Sequence, residues 1–214
     1  MNTKPYLIAS LMLSAFPLSS HALTTTYDDR TAWESAVVTW ADVDLDSQVA
    51  EFEILNGGDT IGLPQSRTLF FDQNLEGRQV PTSFGTWSGS NNPRVLLTDI
   101  TTTDVVGTFN APIPAFGLEM QPDIQDEFTM SLLLSDGSTL SQTVSGLGGA
   151  KFFGWVTTGG PSVVSMTLSL AAGPGDEGFA FGRMVQKTPD AGATWPLLAL
   201  ALLGMVGLRQ KLAS

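Results

Sequence analysis

Carboxylates are the side chains through which this chain could do chemistry. It holds 21 acidic residues, one histidine and no cysteine. The histidine, His21, lies in a segment read below as a removable leader. Without it the body lacks the commonest general base and the commonest zinc ligand. Without cysteine, thiol nucleophiles and thiolate metal sites are excluded. Glu51 and Glu53 lie two apart in Ala50-Glu-Phe-Glu-Ile-Leu55. If Phe52 and Ile54 face the core, the two acids share the outward face of a strand. Glycoside hydrolysis needs two carboxyl groups about 5–9 Å apart in a cleft. That spacing fits, but so does any alternating strand, and solvent-facing acids are the simpler reading. No Gly-x-Ser-x-Gly elbow occurs. No catalytic residue is therefore assigned.

Calcium is the more serious ionic reading, since it takes six to eight oxygen ligands. Asp42-Val-Asp44-Leu-Asp46 offers three acids in five residues, without the glycine and terminal glutamate of an EF-hand loop. Asp176-Glu177 sits in the turn-rich Gly173-Pro-Gly-Asp-Glu-Gly178. Glu53, Asp176 and Glu177 are the candidate ligands for at most one weak structural calcium. The simpler reading is turn capping by Asp side chains. No other cofactor is expected. For sugars, Trp87 is the candidate stacking ring, because Ser83-Phe-Gly-Thr-Trp-Ser-Gly-Ser90 is polar and glycine-rich. Asn91, Asn92 and Arg94 would add hydrogen bonds. Trp155, between apolar neighbours in a strand, belongs to the core.

These residues need positioning, and the pattern that positions them has period two. Asp28 or Asp29 can cap one short helix, Arg30–Val38, with Trp33, Ala36 and Val37 on one face. Elsewhere strands are expected at 50–55, 68–71, 94–98, 105–109, 115–120, 128–134, 139–144, 151–156, 162–170 and 178–184. Pro112 and Pro114 should end the strand at 105–109. Asp136-Gly137 between two extended runs marks a hairpin, since both residues tolerate positive φ. About nine or ten short strands argue for an all-β fold, an antiparallel β-sandwich of jelly-roll or lectin-like type, over residues 23–185. Residues 23–188 carry 20 acidic and 7 basic residues, a net charge of −13. Such a surface repels nucleic acid and anionic lipid.

Both ends point to export. Lys4 is the only charge before Asp28, Tyr6–Leu18 is mostly apolar, and Ser20-His-Ala22 offers small residues at a cleavage site. Residues 1–22 read as a secretory signal peptide. At the other end Ala191–Leu208 is uncharged, and Arg209 and Lys211 follow. As helix that run would rise roughly 27 Å, close to a bilayer core of roughly 30 Å. Basic residues at its end favour the cytoplasmic side. The expected organisation is a linker at 186–194, then a transmembrane helix and basic tail at 195–214. The domain would stay in the periplasm, held at the inner membrane.

Thr188-Pro189-Asp190-Ala191-Gly192, the apolar run and the basic end together resemble the VPDSG-CTERM sorting signal, a relative of the PEP-CTERM signals of exopolysaccharide-producing Gram-negative bacteria. Pro189, Asp190 and Gly192 match the motif; Thr188 stands for its valine and Ala191 for its serine. The resemblance implies transient anchoring, an exosortase-like membrane processing enzyme as partner, and release to the cell surface or matrix. The body is similar, more weakly, to sandwich domains that carry such tails. The shared residues are Ala115-Phe-Gly-Leu118, Leu133-Leu-Ser-Asp-Gly-Ser138, Phe152-Phe-Gly-Trp155, Phe179 and Phe181. In those domains the last strand often carries paired acids beside an early Phe-Glu strand. Here Phe52-Glu53 is present, and the late position reads Phe181-Gly182-Arg183. The resulting expectation is a non-enzymatic surface or matrix protein that contacts extracellular polysaccharide. A carboxylate-dependent glycan hydrolase or lyase, and a purely structural matrix protein, are the alternatives.

Overall fold

The structure, a computed structural model, describes residues 23–88, 92–124, 126–159, 163–171 and 178–188. In chain order the elements are β1 (Leu23–Tyr27), α1 (Arg30–Val37), β2 (Trp40–Asp42), β3 (Ile54–Leu55), β4 (Thr60–Leu63), β5 (Arg67–Phe71), β6 (Leu75–Gln79), β7 (Arg94–Thr98), β8 (Asp104–Ile113), β9 (Ala115–Pro122), β10 (Glu127–Leu134), β11 (Thr139–Ser145), β12 (Lys151–Thr158), β13 (Val163–Leu170) and β14 (Phe179–Lys187). They form two antiparallel sheets. One has eight strands in the order β1-β12-β9-β14-β7-β6-β3, with β2 also paired to β14. The other has six, in the order β11-β10-β13-β8-β5-β4. The expected β-sandwich is the fold observed.

Alternation explains how the sheets meet. Phe128, Met130, Leu132 and Leu134 of β10 are buried while the residues between them are not. They join Leu69, Phe71, Phe109, Phe116, Leu118, Trp155, Met166, Leu168, Phe179 and Phe181 in one inter-sheet core. Phe109, Phe116 and Trp155 contact one another there with ring centroids 5.4–6.0 Å apart. The hairpin turns at the expected place. Gly137 has φ +88°, and the Asp136 carboxylate accepts from the Ser138 N–H.

The eight-stranded sheet is covered on its other face too, and every residue of β9 is buried. One cover is α1. Asp29 caps it by accepting from the Ala32 N–H at 2.7 Å. Trp33 and Val37 pack on Ala115, Phe152 and Val185, and Trp33 Nε1 donates to the Trp155 carbonyl. Phe152 lies flat enough on the sheet that a Cβ on Gly117 would come within 2.3 Å of its ring. A second cover is the segment Val80–Trp87, whose Val80, Phe84 and Trp87 pack on Val95, Ala150 and Ala180.

Three expectations change. The strand at 50–55 shrinks to Ile54–Leu55, because Ala50–Glu53 folds into a turn. Glu53 N donates to the Ala50 carbonyl and the Glu53 carboxylate accepts from Ala50 N at 2.6 Å. Such local bonds compete with a sheet ladder. Phe52 therefore does not enter the core: its φ is +65° and its side chain is 58% exposed. The strand at 105–109 runs on to Ile113, through Pro112. The β5 pairing stops at Phe109, so the missing proline N–H breaks no bond on that side. Finally, β14 continues to Lys187 with Gln186 fully buried, so the first residues of the expected linker belong to the sheet. Among the described residues no helix is long and apolar enough to cross a membrane. The segment 195–208 lies outside them, as does the leader 1–22.

Candidate functional site

β14 has different neighbours along one edge. Its first half, Ala180–Gly182, pairs with β7, and its second half, Val185–Lys187, pairs with β2. Between them the strand bulges. Gly182 faces Glu119 and Val185 faces Gly117, so three steps on β14 match two on β9. One extra residue is inserted, which bends a strand and re-aims a side chain. Arg183 takes φ +43°, uncommon for a residue with a side chain. Its guanidinium reaches Glu119 at 2.6 Å.

Glu119 is the one acid in β9 and is 4% exposed. Its second oxygen accepts from Trp87 Nε1 at 2.7 Å and from Ser88 Oγ at 2.6 Å. A buried carboxylate costs several kcal/mol unless paired and hydrogen-bonded. Here an arginine and two neutral donors share that duty. The result clasps the Val80–Trp87 cover to the sheet beside the bulge.

Where β7 and β2 part, a cleft of about 350 Å³ opens. It is lined by Asp42, Asp44 and Asp46 on one side and by Pro93, Arg94 and Arg183 on the other. Asp42 pairs with Arg30 of α1. Burial opposes the charge on Arg30, but hydrogen bonds to Glu34 and Asp42 outweigh it and its pKa is raised. Asp44 accepts from Ser47 N. Asp46 comes within 3.8 Å of Arg94 Nε, too far for a hydrogen bond. Arg94 Nε and Nη1 are buried with no hydrogen-bond partner among the described residues. The cleft thus gathers two arginines and three aspartates in one concavity, a pattern suited to a ligand with many hydroxyls.

The residues expected to act are placed differently. Trp87 is 6% exposed and stands edge-on to Phe84, so its ring offers no stacking surface. The reason is Glu119, whose carboxylate draws the indole N–H inward. Arg94 lines the cleft, while Asn92 is exposed and uses its carbonyl to accept from Gln79 Nε2. Glu53 closes its own turn, exposed to solvent. Asn91, Asp176 and Glu177 lie outside the described residues, as do Pro189, Asp190, Gly192, Arg209 and Lys211. Among the described residues no cluster of three or more acids or histidines is arranged to hold a metal ion. Glu119 and Arg183 escaped sequence reasoning. Their signal was present: one acid and one base, each alone inside an apolar strand.

No protein-family model matches this chain, and no curated protein sequence does either. Solved structures show slight likeness. A family two carbohydrate esterase from Cellvibrio japonicus aligns at 7% identity and TM-score 0.30, over 78% of this chain and 35% of the esterase. An exo-β-agarase aligns at 9% and 0.35, over 64% of this chain and 25% of the agarase. A family 29 carbohydrate binding module from Piromyces equi aligns at 8% and 0.34, over 72% of this chain and 93% of the module. This chain thus spans about a third of the esterase and a quarter of the agarase. Likeness at this level carries no argument about what the chain binds.

Proposed function

We propose that this chain is an exported surface or matrix protein whose sandwich contacts extracellular polysaccharide at the cleft between β2 and β7. The observation that carries this is the cleft itself. Arg94 and Arg183 line it together with Asp42, Asp44 and Asp46, so that cationic donors and carboxylate acceptors share one concavity. Small sets of fixed polar groups in a concavity are how proteins orient hydroxyl-rich ligands. The residues 189–192, the uncharged run and the basic end support the reading of the tail as an exosortase-type sorting signal. In that reading residues 195–208 hold the protein at the inner membrane, and a processing enzyme acts on Pro189-Asp190-Ala-Gly192. The last described residue, Thr188, is tied to Thr39 by two hydrogen bonds.

The test is a polysaccharide panel, read for retention of the full chain and for release of reducing ends. Retention without release is expected, weakened about tenfold by Arg94→Ala, in line with loss of one or two charge-assisted hydrogen bonds. Release of reducing ends would support the hydrolase instead. Mass spectrometry of the exported protein tests the tail: a C-terminus ending near Gly192 is expected, and an intact Ser214 on a soluble form would overturn both anchoring and sorting.

A further inference from the structure

The open edge of the eight-stranded sheet carries a second feature. α1 and the Val80–Trp87 segment cover the outer face elsewhere, but among the described residues no such cover lies over Phe52, Ile54 and Glu76 at the β3–β6 edge. Phe52 is 58% and Ile54 51% exposed. The Phe52 backbone is held where it is strained. Its N–H donates to the Gly77 carbonyl and the Gly77 N–H donates to the Glu53 carbonyl. The approach is so close that a Cβ on Gly77 would lie 2.3 Å from the Ala50 oxygen. A bulky residue at positive φ is a true outlier, and such strain persists where function repays it.

The surroundings of the ring are also defined. The Arg78 guanidinium sits 5.0 Å from the Phe52 ring centroid and pairs with Glu76 at 2.7 Å. Ile54, Glu76 and Leu97 stand in register across β3, β6 and β7. They line a cleft of about 220 Å³ together with Asn74, Thr98 and Asp99. Hydrogen bonds from the Thr101 backbone and side chain lower the Asp99 pKa.

We infer that this edge is a stacking subsite for a neutral sugar unit of a polysaccharide, with the Phe52 ring as its platform. The inference rests on the reading of the protein as a polysaccharide binder and adds the class of sugar. The apolar face of a pyranose ring can lie on the exposed phenyl ring, backed on its other side by Arg78. Its hydroxyls then meet Asn74, Glu76 and Asp99, which accept or donate at the adjoining cleft. Arg78 offsets the charge of Glu76, and Asp99 leaves the edge one net negative charge, which is how it would disfavour a uronate.

Affinity electrophoresis of the full chain in mild detergent decides this, in gels containing galactomannan, hydroxyethylcellulose or alginate. Wild type should be retarded by a neutral polymer. Phe52→Trp should keep that retardation. Phe52→Gly should weaken it about tenfold, the worth of one good aromatic contact, while the melting temperature stays level or rises, since glycine accepts φ +65° without strain. Retardation of Phe52→Gly equal to wild type overturns the inference and leaves the protein a polysaccharide binder. Retardation by alginate alone does the same and directs attention to Arg94. A melting temperature lowered in both variants, with loss of binding in both, makes Phe52 a structural residue and overturns the inference. No retardation of wild type by any polymer overturns the function itself, and the subsite with it.

Discussion

Trp87 and Phe52 invite comparison. Both are aromatic residues in segments that lie against the eight-stranded sheet, Phe52 in the alternating run 50–55 and Trp87 in the polar, glycine-rich run 83–90. Trp87 is buried, because a carboxylate inside the sheet, Glu119, receives its indole N–H. Phe52 is exposed, because it has no polar handle and its turn is closed by backbone bonds to Gly77. The local pattern points each the other way, Phe52 to the core and Trp87 to solvent. What separates them is the chemistry waiting on the sheet beneath.

The comparison can be broken at three points, with a fourth as reference. The largest effect should come from Trp87→Ala, which empties the second cover and orphans one of the Glu119 bonds. A loss of about 3–5 kcal/mol is expected in chemical denaturation. A loss below 1 kcal/mol would mean that the cover is not clasped.

Glu119→Ala should follow. It leaves Arg183 and the Trp87 N–H without their partner, at a cost of about 3 kcal/mol. Measured with Trp87→Ala in a double-mutant cycle, the two should couple by 1 kcal/mol or more, roughly what contacting residues show. Additive losses would argue against the shared network.

Gly77→Ala acts on the other segment. The new Cβ would force the Ala50–Glu53 turn away from β6, costing about 2 kcal/mol. The signature to look for is increased proteolysis between residues 49 and 54, with the Trp87 cover unaffected. Cleavage unchanged in that stretch would show that the turn does not depend on this approach.

The smallest effect lies apart from both segments and serves as a reference. Burial opposes ionisation of Asp136, but hydrogen bonds from Thr24 and Ser138 outweigh it and lower its pKa. A carboxylate depressed in the folded state stabilises above its unfolded value of about 3.9, and that stability is lost as pH falls through the folded value. Asp136→Asn should therefore cost less than 1 kcal/mol near pH 7, as exposed pairs do. The gap to wild type should close below about pH 4. A gap that persists in strong acid would assign the effect to turn geometry instead.

Much of the fold was legible because it rests on local rules. Asp29 caps α1, Asp136-Gly137 turns the hairpin, and β7 begins and ends at the residues its pattern marks. β1, β2, β4 and β6 were not anticipated. They are short or polar, as in Leu75-Glu-Gly-Arg-Gln79, and exist through their partners rather than their own periodicity. The candidate site was legible only in part. Arg94 was anticipated as a binding residue, though beside Trp87 rather than opposite three aspartates.

Amino-acid order alone determined the period-two pattern, and with it a sandwich of antiparallel strands. It also determined the absence of thiols, the acidic surface, and the tail whose motif, apolar run and basic end follow one another. Tertiary structure decided everything that depends on pairs distant in sequence. Arg183 meets Glu119 only because a bulge shifts β14 by one residue against β9. The cleft exists only because β7 and β2 share one edge of β14 and part at that bulge. Phe52 is exposed only because Gly77, 25 residues on, holds its turn. A side chain's face in a strand follows from its neighbours in sequence, but its partner follows from register, and register is set across the sheet.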